Sequence, residues 1–79
     1  MSAEQIRTMT LDDLARLPGR TVGTAITAHF LEMDRWNVTL AARQKTLPLA
    51  PEHYYFCGNR LHVVKDGLLR LFGYSGLPQ

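Results

Sequence analysis

His53, Cys57 and His62 are the residues whose types first invite chemistry, because imidazole and thiolate bind metals and a Cys–His pair can supply a nucleophile. Their spacing argues against both. His53-Tyr54-Tyr55-Phe56-Cys57 reads as a short strand with aromatic weight, and positions four apart on a strand lie about 13 Å apart at about 3.3 Å per residue. A zinc ion holds its ligands at about 2.0–2.3 Å, so His53 and Cys57 cannot share one. Cys57 and His62 can approach across a Gly58-Asn59 turn, but no third ligand accompanies them. The expectation is no metal site and no cofactor. The carboxylates offer no catalytic pair either. Asp12 and Asp13 are adjacent at a helix start, and Glu32 and Asp34 flank a turn. G-x-S-x-G, H-E-x-x-H and the phosphate-cradling G-x-x-x-x-G-K are all missing. The chain is therefore not expected to be an enzyme.

What remains is binding. Met33, Asp34, Arg35 and Trp36 place residue types favoured at protein interfaces on a predicted turn tip, and Tyr55 joins them as a residue expected to point outward. These five are the candidate protein-binding surface. Trp36 shares strand parity with Val38 and Leu40, so a core position for it stays open. The alternative surface is basic: Arg43, Arg60, His62, Lys65 and Arg70 are candidates for an anion or nucleic acid. Net charge is +2, with the acids concentrated up to Asp13 and the bases in excess beyond it. That balance permits an anionic partner without requiring one.

The elements that must position these residues follow from capping, parity and turn residues. Residues 1–9 read as a flexible polar leader. Thr10 is a helix cap with Asp13 at the capping-box position, and Pro18-Gly19 ends the helix. Thr21, Val22, Thr24, Ile26 and Thr27 are β-branched, and Val22, Ile26, Ala28 and Phe30 keep a period of two. That predicts a strand over about 20–32. After a turn at Asp34-Arg35, Trp36, Val38, Leu40 and Ala42 alternate with polar positions and predict its hairpin partner. Pro48 and Pro51 mark a loop. Residues 53–57 and 60–64 predict two more strands around Gly58-Asn59, and Asp66-Gly67 predicts a hairpin turn into 68–72. Residues 68–72 fit helix as well as strand, and 73–79 read as a C-terminal tail. On strand parity Val22, Ile26, Phe30, Val38, Leu40, Phe56, Leu61, Val63, Leu69 and Leu71 face inward, and Thr27, His29 and Thr39 outward.

The predicted class is α+β, one small domain over 1–79. A short N-terminal helix precedes about five short antiparallel strands in a curled sheet or partly open small barrel. With 46% hydrophobic and 20% charged residues the composition is globular rather than disordered. Cys57 is the only cysteine, which predicts a reducing compartment and no disulfide. No apolar stretch reaches the length of a membrane span, and the first residues carry no signal-peptide pattern. A cytoplasmic protein without a membrane partner is expected. Self-association is a further expectation for a domain this small.

Two segments carry partial resemblances. Leu17-Pro18-Gly19-Arg20-Thr21-Val22-Gly23-Thr24-Ala25 resembles the helix-hairpin-helix motif of DNA-binding proteins, with Thr21 in place of the second glycine. That resemblance implies backbone amides set against a phosphate. Phe56-Cys57-Gly58-Asn59-Arg60-Leu61-His62-Val63-Val64 is similar to the second signature of Sm-like RNA-binding proteins, with Cys57 where the basic residue belongs. In size, lone cysteine and lack of an active-site motif the chain resembles, as a class, the small inhibitors of phages and mobile elements, anti-CRISPR proteins among them. The leading expectation is a non-catalytic module that docks on a partner protein as an inhibitor or adaptor. The alternative is a small nucleic-acid-binding domain, Sm-like or another β-barrel, using a basic sheet face.

Overall fold

The computed structural model describes residues 3–74. Helix α1 (Ala3–Arg7) lies where a loose leader is expected. Met9 just beyond it is buried, and Nε2 of His29 donates to its carbonyl at 2.9 Å. An apolar residue with somewhere to pack overrides the polar composition around it. Helix α2 (Leu11–Arg16) starts as its capping residues require. The Asp13 amide donates to the Thr10 hydroxyl at 3.2 Å, and the Thr10 amide donates to the Asp13 carboxylate at 3.0 Å. Leu17, the residue before Pro18, is extended, and the helix stops there.

Strand β1 is only Thr21–Val22. The long strand expected over 20–32 gives way to helix α3 (Thr24–Leu31), and its expected hairpin partner is helix α4 (Arg35–Gln44). The reason is visible in the packing. Thr27 is fully buried rather than outward, and its hydroxyl donates to the Gly23 carbonyl at 3.0 Å, so a polar β-branched residue is satisfied inside a helix. In α4, Val38 and Ala42 are buried four apart, the helical period, while Trp36 and Leu40 of the same strand parity are exposed. The run Leu40-Ala41-Ala42-Arg43-Gln44 also consists of strong helix formers. Residues 32–34 join the two helices. Glu32 closes α3 in the left-handed conformation, φ 55°, and the Met33 amide donates to Ala28 at 3.0 Å.

A single 3-10 turn at Pro51–His53 leads into β2 (Tyr54–Cys57), which pairs antiparallel with β3 (Arg60–Val64) through Gly58-Asn59. Gly58 has φ 65°, which explains a glycine at this tip. β3 also pairs with β1, Val22 opposite Val63, so the sheet order is β1-β3-β2. Among the described residues this is an open three-stranded antiparallel sheet in an α+β fold, not about five strands and not a barrel. The Sm-like resemblance therefore loses its architecture, though its segment does form the hairpin β2–β3. The helix-hairpin-helix resemblance loses its geometry because β1 pairs into the sheet between α2 and α3.

Asp66-Gly67 is not a hairpin turn. It lies inside helix α5 (Lys65–Leu71), which settles residues 68–71 as helical. A Cβ at position 67 would stand 2.7 Å from Cβ and Cγ of His53, so glycine serves close packing here rather than a positive φ. The core is formed by Leu14 of α2, Val38 of α4, Val63 of β3, and Leu68 and Leu69 of α5, all buried. Leu40 and Leu71, expected inside, are exposed, whereas Val22, Leu61 and Leu69 are buried as expected. The Tyr74 hydroxyl donates to Asp12 at 2.6 Å and ties the chain beyond α5 to α2. The rest of the expected tail, residues 75–79, lies outside the described residues. No helix among the described residues is long and apolar enough to cross a membrane.

Candidate nucleic-acid interface

Helix α4 presents an exposed face, touched by another element through Phe56 of β2 at Arg43. At 100° per residue, Trp36, Leu40 and Arg43 fall in one line at i, i+4 and i+7, directly opposite buried Val38 and Ala42. Asn37 and Gln44, seven apart, flank the line on one side, and both are exposed. The helix contains no acidic residue, Arg35 opens it and Lys45 follows it. Asp34 precedes it as the N-cap residue, without a side-chain capping bond.

Arg43 is held in place. Its guanidinium carbon lies 4.6 Å from the centroid of the Phe56 ring, a cation–π contact joining α4 to β2. Phe56 points to the inner face of the sheet, so its neighbour Tyr55 points to the outer one. There Tyr55 stacks on His62 across the ladder, ring centroids 5.2 Å apart and planes at 14°. Tyr55 is thus half-exposed but belongs to a different surface from Trp36. The other protein-binding candidates stay together: Met33 and Asp34 in the α3–α4 turn, Arg35 and Trp36 in the first turn of α4. Trp36 is 72% exposed, so it is a surface residue and not part of the core.

The basic candidates divide. Arg60 and His62 lie on β3, where with Thr21, Thr24 and Asn59 they line a shallow cavity of about 420 Å³ between the hairpin and the start of α3. Lys65 is elsewhere. Its Nζ donates to the carbonyls of Leu17 at 2.6 Å and Ala15 at 3.4 Å, which places the charge at the C-terminus of α2, where it complements unpaired carbonyls. Lys65 is a structural residue here. Arg70 is exposed in the last turn of α5, the helix that packs on α2 and β3. Asn37, Leu40 and Gln44 were not distinguishable as site residues on strand parity; the helix formers from Leu40 to Gln44 are the signal that reveals them.

Among the described residues no three His, Cys, Asp or Glu side chains gather where a metal could sit. Cys57 is exposed beside the β2–β3 turn and pairs in the ladder with Arg60. No protein family, curated protein or solved structure matches this chain.

Proposed function

We propose that this chain is a duplex-DNA-binding domain of helix–turn–helix type, with α4 as the helix that enters the major groove. Two consecutive helices joined by three residues suit that motif. The observation that carries the proposal is the outward face of α4. It has no acid, and it offers Arg43, Asn37 and Gln44, the side-chain types that pair with guanine and adenine edges in the major groove. Arg35 in the first turn of α4 and Lys45 just after its last turn, both exposed, supply charge for the flanking phosphates. Phosphate contacts position such a module and base contacts specify it.

The test is binding of a fluorescent random-sequence DNA duplex as a function of salt. Each neutralised phosphate steepens the dependence of log K on log salt by about 0.9. Arg35→Ala, in the first turn of α4, should weaken binding to all sequences and flatten the slope by about one. No binding to any duplex at about 50 mM salt would remove the proposal.

A second reading uses the same face. Trp36, at 72% exposure, is a residue type that dominates binding energy at protein interfaces, and Arg35 beside it is another. A docking module acting on a partner protein would keep its affinity when salt is raised and would lose it with Trp36→Ala.

A further inference from the structure

We infer that Leu40 and Trp36 determine sequence specificity by reading thymine 5-methyl groups in the major groove, so that the site beneath α4 is rich in A·T pairs. The inference rests on the duplex-DNA reading of α4 and adds what that duplex must contain. The centre of the exposed face is apolar: Leu40 is 40% exposed and Trp36 72%, one helical turn apart. Leu40 has no group for a phosphate, and the Trp36 ring is apolar apart from its indole N–H. On the major-groove edge only thymine presents an apolar group, its 5-methyl; guanine, cytosine and adenine present hydrogen-bonding atoms alone. Asn37 and Gln44 flank these two residues, and an amide side chain pairs with N6 and N7 of adenine, the partner of each thymine. One face thus carries groups for both halves of an A·T pair. Charge chooses among occupants. With Arg35 and Arg43 on an acid-free helix, an apolar strip fits a polyanion bearing methyl groups better than an apolar protein groove.

The experiment selects binding duplexes from a randomised pool and resynthesises the best one with deoxyuridine in place of thymidine. This removes only the methyl and keeps base pairing. Each methyl covered by Leu40 or Trp36 should be worth about fourfold in affinity, taking about 0.8 kcal/mol per buried carbon. The wild-type protein should therefore bind the uracil duplex about fourfold or more weakly. Leu40→Ala, at an exposed position and checked by its melting temperature, should lose part of that discrimination, and the Leu40→Ala/Trp36→Ala double variant should bind both duplexes nearly alike. Three results overturn the inference while leaving DNA binding intact. These are equal wild-type affinity for the two duplexes, a selected pool without thymine enrichment, and undiminished discrimination in both Leu40→Ala and Trp36→Ala. Failure to bind any duplex at low salt overturns the DNA reading and this inference together.

Discussion

Arg43 and Phe56 come from an exposed helix face and a sheet strand, yet the guanidinium carbon of one lies 4.6 Å from the ring centroid of the other. The contact joins the exposed face of α4 to the inner side of the β2–β3 hairpin. A long cationic side chain held on an aromatic face loses less freedom when it binds a phosphate or a guanine edge. The ring thus orders the arginine before the ligand arrives.

Phe56→Leu keeps most of the apolar volume and removes the π face. A cation–π contact near the surface is worth about 0.5–1 kcal/mol, so DNA affinity should fall about twofold to fivefold. On an Arg43→Ala background the same substitution should change nothing further. Fluorescence anisotropy on the four proteins of this cycle measures the coupling, and additive losses would show that Phe56 does not act through Arg43.

Leu14 and Trp36 are at the two extremes of exposure, and their alanine variants should separate stability from binding. Leu14 is fully buried, and Leu14→Ala should cost about 2.7–5 kcal/mol. A domain of this size has about 4–12 kcal/mol in all, so that variant should lose a large share of its stability. Trp36→Ala should stay within about 0.5 kcal/mol of the parent in urea denaturation. A large loss there would mean that Trp36 packs in solution.

Much of the local punctuation was legible in the sequence. Thr10 and Asp13 cap α2 as their types demand, and Gly58-Asn59 joins β2 and β3 with Leu61 and Val63 inward. The turn expected at Asp34-Arg35 falls at the α3–α4 junction, residues 32–34, but it joins helices. The period misled because Trp36, Val38, Leu40 and Ala42 alternate perfectly, and only burial distinguishes Val38 and Ala42 from the other two. In 24–31, β-branched content pointed to strand, while Thr27 satisfies its hydroxyl on Gly23 and remains helical. Asp66-Gly67 carried a turn signal for a residue that is glycine because His53 leaves no room for a Cβ. The site suffered from the same error. Arg43 and Arg60 were recognisable as bases, but Asn37 and Arg43 come to the exposed side of Trp36 and Leu40, away from Val38, only once 35–44 is a helix.

Gly67 gives the sharpest packing test. In an open helix, glycine to alanine gains about 0.8–1 kcal/mol. Here the new Cβ meets Cβ and Cγ of His53 at 2.7 Å, and since Cβ is fixed to the backbone no rotamer change clears the contact. Overpacking of this kind costs about 1–3 kcal/mol, so Gly67→Ala should be destabilising despite its helix propensity. In a His53→Gly protein the obstruction is gone, and Gly67→Ala should then stabilise by about 1 kcal/mol. Thermal denaturation of the four variants decides it; the same sign on both backgrounds would refute the steric account.

The two ends of the pH range should report two different hydrogen bonds around α2. The Asp13 carboxyl is held below its ordinary pKa, first by the Thr10 amide, then by the Thr10 hydroxyl, with the Arg16 charge adding a little; desolvation opposes them. A depressed carboxylate contributes stability above its unfolded pKa, near about 3.9, and loses that contribution as pH falls through the lower folded value. Asp13→Asn cannot titrate, so its melting temperature should approach the parent's as pH drops below about 4. Tyr74 moves the other way. Its pKa is raised, chiefly because its hydroxyl donates to Asp12, with burial second and the Asp12 charge third. A raised phenol contributes stability below its unfolded pKa, near about 10, and loses it as pH climbs through the folded value. Tyr74→Phe lacks the bond throughout, so it should melt below the parent at neutral pH and converge with it above about pH 10. A Tyr74→Phe protein whose deficit grows with alkalinity would reverse the sign and exclude the Asp12 bond as its source.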